Sequence, residues 1–151
     1  MKKSTIIPVL LSLLFFWGSN IMALSPEGLS LTTEMSEDWI LDQSTSNVDF
    51  YYKLDNCSGQ KAVLLRIVNR NDFEVQVNWK EFFTDASTRR TIEGFASEKE
   101  LTLAAGRTIE ARSCSDYDKT ECLVLSAMVS PTRVVRIEDF EFRSITVNAV
   151  R

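Results

Sequence analysis

An alternation of apolar and polar residues between positions 62 and 79 constrains this chain more than any other feature. From residue 73 to residue 79 every second side chain is apolar, which is typical of a strand with one buried and one solvated face. The turn-forming residues 69–72 join this segment to an earlier apolar one, so the pattern predicts an antiparallel hairpin. Such a hairpin needs a second layer to cover its apolar face. The predicted inward set is Leu65, Ile67, Phe73, Val75, Val77 and Trp79.

Strand character continues through the rest of the chain. Residues 48–54 alternate, and residues 122–129 form a mostly apolar run that Pro131 ends. The last segment changes phase twice, which predicts bulges near Glu138 and Ser144. No helical period of useful length is present after residue 23. The sequence therefore predicts an all-β fold, a single antiparallel β-sandwich of seven or eight strands.

The segment from Leu101 to Ala111 has the pattern of strand, turn at Gly106, then strand, and it follows the predicted hairpin that ends in Trp79. With these features the chain resembles bacterial immunoglobulin-like or fibronectin-type-III-like sandwich modules over about residues 47–148. It also resembles small secreted bacterial proteins of unassigned function. The resemblance implies an immunoglobulin-like sandwich and no catalytic residues. The chain departs from the antibody pattern because Trp79 ends its strand and does not lie between two paired cysteines.

The first residues have the three parts of a secretory signal peptide. Lys2 and Lys3 precede the short apolar run from Ile6 to Trp17, and a more polar end leads to Ala23. We expect residues 1–23 to be a signal peptide, 24–46 a leader or linker and 47–151 the sandwich domain. The apolar run is about half of the roughly 20 residues that a spanning helix needs, so no stable membrane span is expected after removal. The chain is predicted to be exported, to the periplasm or beyond.

Two compositional facts exclude whole classes of function. The formal net charge is −4 and no basic cluster exceeds the pair Arg89-Arg90, which argues against nucleic acid as a partner. Histidine is absent, which excludes Ser-His and Cys-His nucleophiles and His-based metal sites. No cofactor is expected.

Three cysteines in an exported chain predict one disulfide with one thiol left over. Cys114 with Cys122 would join two successive strands across a short tip, and we favour this pairing because it demands least of the fold. Cys57 with Cys114 is the alternative. It would close a longer loop and stabilise the fold more.

Aromatic residues are the first candidates for binding. Phe50, Tyr51 and Tyr52 are consecutive, so at least one ring should lie on the outer face of its strand. Together with Trp39 and Tyr117 it could form a platform for sugar or protein. The alternative is that these aromatic residues only fill the core, since strands favour them. Trp39 itself is expected to cap an open end of the core.

A short acidic segment is a weak calcium candidate. Asp116, Asp118 and Glu121 could supply oxygen ligands, but the segment lacks the further ligand and the central Gly of an EF-hand loop. We therefore expect a solvated tip between two strands and predict no metal site.

Two pairs of acids could in principle hydrolyse glycosides. Glu98 with Glu100, and Glu81 with Asp85, have spacings that place both carboxyls on one face of a strand. Nothing in the sequence predicts that one of them is buried with a raised pKa.

The expected function is therefore a non-enzymatic exported module that binds or supports another cell-envelope or extracellular component, protein or glycan. The alternative is a carbohydrate-binding module that uses the strand around Tyr51. A carboxylate-based glycoside hydrolase comes third.

Overall fold

The computed structural model describes residues 38–96, 98–116 and 121–151. These ranges contain nine strands and one short 3₁₀ helix, Ser126–Met128. The predicted sandwich is confirmed, with one or two strands more than expected. The predicted signal peptide, residues 1–23, lies outside the described residues. The strands are β1 Ile40–Thr45, β2 Val48–Cys57, β3 Gln60–Asn69, β4 Val75–Asp85, β5 Arg90–Glu93, β6 Lys99–Leu103, β7 Thr108–Glu110, β8 Leu123–Leu125 and β9 Ile137–Ala149.

Each sheet is built on one long central strand, and all pairs are antiparallel. In the first sheet β3 pairs with β2 along one edge and with β7 and β8 in tandem along the other, while β1 extends the sheet beyond β2. In the second sheet β4 pairs with β9 along one edge and with β6 and β5 in tandem along the other. The sandwich therefore has one flank at β1 and β9 and another at β6 and β8.

The segment between β3 and β4 does not form the predicted hairpin. β3 and β4 lie in different sheets, so the chain crosses from one layer to the other between residues 69 and 75. The side-chain nitrogen of Asn69 donates to the carbonyl oxygens of Phe73, at 2.9 Å, and Leu103, at 3.2 Å. It also donates to the carbonyl of Ala104, at 3.0 Å. These bonds hold the crossing, and the predicted turn connects layers instead of paired strands.

The inward set is confirmed at five of its six positions. Leu65, Ile67, Val75, Val77 and Trp79 are fully buried in the core. The prediction that Phe73 points inward is wrong, since this side chain is 46% exposed. It lies in the crossing segment before β4 begins, so the alternation of that strand does not reach it.

The bulges predicted in the last strand are confirmed. The register of β9 against β4 shifts between Thr146 and Arg143 and again between Asp139 and Ile137. Ser144 has a φ of +54°, a conformation that bulges accommodate. With these shifts Ile137, Phe140 and Phe142 all point into the core. A single strand of thirteen residues can thus bury residues of both parities.

The predicted domain boundary at residue 47 is too late. Residues 40–45 form β1, an edge strand that pairs with β2, and not a linker. Ser46 and Asn47 have φ values of +50° and +57° and form the two-residue turn of a β-hairpin. Trp39 packs partly buried against the core, as expected for a residue that caps its open end.

The favoured disulfide, Cys114 with Cys122, is wrong. Cys57 and Cys114 form the bridge, with their Cα atoms 5.4 Å apart. Cys122 is buried next to β8, where its carbonyl accepts from the backbone N–H of Leu65 and keeps it in the sheet. The bridge ties the end of β2 to the segment after β7, within one sheet. It is therefore not the inter-sheet disulfide of antibody domains.

Within the described ranges, no helix has the length and apolar character that crossing a membrane requires.

Candidate functional site

A cavity of about 180 Å³ lies between the two sheets at the β6–β8 flank. Its walls come from β4, from the loop between β5 and β6, from β8 and from the 3₁₀ helix. Most of the lining is apolar, and one acid and one lysine interrupt it. The residues that line it are Glu81, Phe83, Gly94, Phe95, Ala96, Lys99, Leu123, Val124, Met128 and Val129.

Glu81 and Lys99 form a buried ion pair in this wall. Glu81 lies two residues after Trp79 on β4, so both side chains point to the buried face of the strand. Lys99 on β6 is the cross-strand partner of Trp79. Paired residues of neighbouring strands point to the same face, so both charges are turned inward. The Lys99 Nζ lies 2.9 Å from the Glu81 Oε1, and the side chains are 15% and 3% exposed.

Burial governs the electrostatics of Glu81. It raises the pKa of the carboxyl, because a charged group loses its hydration inside a protein. The Lys99 ammonium and the Trp79 N–H, which lies 3.5 Å from Oε1, lower the pKa and only partly offset burial. Both partners reach the same oxygen.

Two large apolar side chains stand at the mouth of the cavity. Phe95 is 69% exposed and Met128 is 49% exposed, although both line the cavity. The backbone N–H of Phe95 donates to the carbonyl of Val129, which ties the β5–β6 loop to the residue that follows the 3₁₀ helix. Gly94 is needed beside it, since a Cβ at this position would come within 2.9 Å of the Phe83 ring. The loop thus holds Phe95 at the entrance.

The predicted aromatic platform is not present on β2. Phe50, Tyr51 and Tyr52 are all buried, and Tyr51 is only 3% exposed, with its hydroxyl 3.2 Å from Asp49. The interpretation of Tyr51 as an exposed binding residue is therefore wrong, because hydrogen bonding and packing occupy both faces of this strand. The ring of Trp39 is covered by the guanidinium of Arg66, whose Cζ is 4.4 Å from its centroid. Tyr117 lies outside the described residues.

The calcium candidate has no assembled ligand set in the described part of the chain. Asp116 Oδ2 accepts from the backbone N–H of Arg112, and Glu121 is exposed with its carbonyl accepting from Lys99. Asp118 lies outside the described residues. Among those that are described, no group of three acids or cysteines could hold a metal ion.

The candidate carboxylate pairs do not converge. Glu98 and Glu100 are exposed, whereas Glu81 is buried with Lys99. Asp85 is also buried, but its Oδ2 accepts from Arg133 at 2.6 Å and its Oδ1 from the backbone N–H of Ser87 at 2.9 Å. These bonds lower its pKa. Glu81 is the only acid among the described residues that line the cavity.

Sequence reasoning names Glu81 but misses its partner and the mouth of the cavity. The parity of Glu81 with Trp79 and Phe83 is a usable signal, since it places an acid on a buried face. Lys99 gives no such signal, because its inward direction depends on the pairing of β6 with β4. The sequence does not distinguish Phe95 and Met128 from other apolar residues, because their position at the cavity depends on the β5–β6 loop and the 3₁₀ helix.

A second cavity of about 310 Å³ lies where β6 and β7 approach each other. Its lining includes Glu74, Thr102, Arg107 and Thr108, all exposed, and contains no buried ionisable group. The cavity at the β6–β8 flank is the better candidate because it combines apolar walls with a buried polar group.

Comparisons with known proteins add little to this geometry. No protein-family description matches the chain, and no curated protein matches it. A crystal structure of a DUF1425 family member from Shewanella sp. pv-4, solved at 1.81 Å, is similar to it with a TM-score of 0.45 and 14% sequence identity. The match covers 77% of this chain and 93% of that chain. The chain therefore has a structural resemblance to that DUF1425 protein, at a level that carries no argument about function.

Proposed function

We propose that this protein is a non-enzymatic exported module that binds another protein of the cell envelope through the cavity at the β6–β8 flank. The observation that carries the proposal is the pair of exposed apolar side chains, Phe95 and Met128, at the mouth of an apolar cavity. Single exposed apolar residues need no explanation, but apolar side chains around a concave opening are typical of binding sites. A partner side chain would fill the cavity and cover its rim.

The composition of the site supports a role in binding. Glu81 is the one acid among the described residues of the lining, and Lys99 neutralises it. Acid-catalysed glycoside hydrolysis requires two carboxyls on either side of the scissile bond. The chain has no histidine to activate a nucleophile.

The export part of the proposal is supported by the three-part pattern of residues 1–23 and by the disulfide between Cys57 and Cys114. Disulfides persist in oxidising compartments such as the periplasm. A carbohydrate-binding function has less support, since the aromatic residues of β2 are buried.

Site-specific photocrosslinking in the producing cells tests the proposal. A benzophenone amino acid replaces Phe95, and in a matched control it replaces Phe73, which is exposed elsewhere on the molecule. We expect a discrete protein adduct from position 95 that is absent from position 73. Equal adducts at both positions, or none at position 95, would contradict the proposed site.

A further inference from the structure

We infer that this protein forms a symmetric dimer in which the outer edge of β9, from Ile145 to Ala149, pairs antiparallel with the same edge of a second copy. The two-fold axis passes beside Val147. The inference does not rest on the proposed function, because β9 lies on the opposite flank of the second sheet from the cavity. A dimer of this kind leaves the cavity of each copy accessible.

The backbone of β9 alternates between groups that face β4 and groups that face away from it. The N–H of Val150 donates to the carbonyl of Glu74, just before β4, at 3.0 Å. Because bonded and non-bonded pairs alternate in an antiparallel ladder, residues 146 and 148 also bond toward β4. The residues whose N–H and C=O groups point outward are Ile145, Val147 and Ala149. Within the described ranges β9 pairs with β4 alone, so no described strand meets these groups.

The first half of the same edge is protected by side chains. The outward N–H of Phe142 donates to Asp42, and Gln43 donates to its carbonyl. The outward N–H of Phe140 donates to the carboxylate of Asp139 at 2.9 Å. Such caps occupy the groups that another chain would otherwise use for pairing. They stop at residue 142 in the described part of the chain, so the second half of the edge remains open to a further strand.

The other edge strands that the structure describes have different safeguards. β1 contains a bulge, β5, β7 and β8 have three or four residues each, and β6 begins with the charged residues Lys99 and Glu100. Bulges, short strands and charges all disfavour pairing between edges. The segment from Ile145 to Ala149 is uncharged, and three of its five residues are β-branched. It is therefore the described edge best suited to accept a strand.

Pairing of the segment with itself matches its chemistry. With the axis beside Val147, this residue faces its own equivalent, and Ile145 faces Ala149 of the second copy. Each facing pair exchanges two hydrogen bonds, so about six bonds form, whereas an axis beside residue 146 or 148 would form about four. Thr146 lies opposite Asn148 of the second copy. Apolar side chains thus meet apolar ones and polar side chains meet polar ones.

Burial and charge also favour a second copy. Ile145 and Val147 are half-buried at the margin of the core, and a neighbouring strand would cover more of their apolar surface. Arg143, the nearest charge on β9, pairs with Glu141 and lies over the ring of Phe82, with its Cζ 4.3 Å from the centroid. No like charges face each other within the paired segment. Every copy of the chain carries this edge, so no other protein is needed to complete the pairing.

Sedimentation equilibrium of the purified protein tests for the dimer. The paired segment is short, so we expect a weak dimer with a dissociation constant of about 10 µM to 1 mM. A protein that stays monomeric at every concentration up to about 1 mM would overturn the inference. An open series of larger oligomers would also overturn it, because a two-fold contact closes on itself.

Two substitutions at one position show whether an outward N–H makes the contact. Ala149→Pro removes this N–H from each copy and leaves the bonds to β4, and an exposed position at the end of an edge strand tolerates proline. We expect the dissociation constant to rise at least about tenfold. The matched control Ala149→Val keeps the N–H and should change the constant less than about threefold. Equal constants for the two variants would contradict pairing through this edge.

A second proline variant guards against a local effect at the end of the strand. Val147→Pro removes the outward N–H beside the axis, and we expect it to weaken the dimer at least as much as Ala149→Pro does. The NMR spectrum of each variant at low concentration shows whether the monomer is folded. A folded Val147→Pro variant that dimerises like the unchanged protein would overturn the inference.

Amide hydrogen exchange locates the contact within β9. The outward N–H groups of Ile145, Val147 and Ala149 should exchange more slowly as the protein concentration rises. Residues 146 and 148 bond to β4 in the monomer, so their exchange should not depend on concentration. Concentration-dependent protection elsewhere, with none at the three outward residues, would place the contact on another surface.

Mixed isotope labelling tests the orientation and the register. In a sample of labelled and unlabelled copies, the proposed axis brings the Cα atoms of Thr146 and of Asn148 in the second copy to about 4.5 Å, within reach of an NOE between their α protons. We expect this intermolecular NOE to be observed. An NOE between Thr146 and its own equivalent in the second copy would instead rule out the axis beside Val147.

Discussion

The β1–β9 flank of the sandwich is sealed by its own side chains, whereas the β6–β8 flank encloses a cavity. On the sealed flank Gln43 donates to the carbonyl of Phe142 at 2.8 Å, and the N–H of Phe142 donates to Asp42 at 3.2 Å. Side chains of β1 thus occupy backbone groups of β9 that β4 does not pair. The ring of Phe142 packs beneath them against Phe50 and Trp79.

The two flanks differ in what their buried polar groups contact. Tyr52 on the sealed flank donates its hydroxyl to Asp139, and burial together with that bond raises its pKa to about 12. The carboxyl of Asp42 likewise accepts from the chain itself. On the open flank the Oε1 of Glu81 pairs with Lys99, and both residues line the cavity. The comparison teaches that the polar groups of one flank close the sandwich, while the other flank encloses a cavity.

The largest expected effect comes from the aromatic core under the sealed flank. Phe142→Ala removes a buried ring that contacts Phe50, Trp79 and Phe140, and we expect it to lower the free energy of unfolding by about 3 to 5 kcal/mol in a urea titration. Phe95→Ala at the open flank should cost less than about 0.5 kcal/mol. Similar costs for the two changes would break the comparison.

The next effect concerns the disulfide. On the open flank β7 and β8 have three residues each, and the bridge anchors the segment between them to β2. We expect the double variant Cys57→Ala/Cys114→Ala to lose about 2 to 4 kcal/mol in the same titration. Alkylation of the unreduced, denatured protein should label Cys122 alone. Label on Cys57 would show that the pairing is different.

A smaller effect is expected where β1 covers β9. Asp42→Ala leaves the N–H of Phe142 without its acceptor, so we expect a loss of about 1 kcal/mol and faster hydrogen exchange at this amide. The matched control is Asp38→Ala, which removes an exposed ion pair with Lys53 and should cost less than about 0.5 kcal/mol. If exchange at Phe142 is unchanged, Asp42 does not protect this edge.

The smallest effect is a difference in pH dependence within β4. The pKa of Glu81 is raised on folding, so the native state binds the proton more tightly, and the stability this provides is lost as pH rises above about 4.5. In Glu81→Gln this decline of unfolding free energy with pH should disappear. The pKa of Asp85 is lowered, so its contribution has the opposite sign and is lost as pH falls below about 3.8. Asp85→Asn should reduce only the loss of unfolding free energy that occurs as pH falls below about 3.8. The same slope in wild type and Glu81→Gln would show that the acid is not desolvated.

The sequence predicts what depends on local alternation. The inward parity of Val75, Val77 and Trp79 and the bulges near Glu138 and Ser144 are confirmed, because each follows from a period of two within one strand. The fold class follows from the same signal repeated along the chain.

Features that depend on pairing between distant segments could not be predicted. Residues 69–72 have a turn composition that suits both a hairpin and a crossing between sheets. In the structure β4 joins the other sheet, and the bonds of Asn69 to the carbonyls of Phe73 and Leu103 hold the crossing. The disulfide could not be predicted for the same reason. Cys57 and Cys114 become neighbours only when β2 and β7 pair with opposite edges of β3.

The candidate site was predicted least well. Its polar group, Glu81, carries a local signal in its parity, but the pairing of Trp79 with Lys99 across β4 and β6 is needed to bring in the cation. Tyr51, which sequence reasoning favoured as a binding residue, is buried on β2 with its hydroxyl bonded to Asp49.

The pairing of β4 with β9 has a consequence for how such a chain acquires its structure during synthesis or transport. β4 finds its longest partner about 50 to 75 residues further along, and such long-range pairing is slow. If the chain crosses a membrane from its amino end, as a secretory signal would direct, the second sheet cannot close until β9 has emerged. On that route the first sheet, whose strands all precede residue 126, could pair before the second sheet.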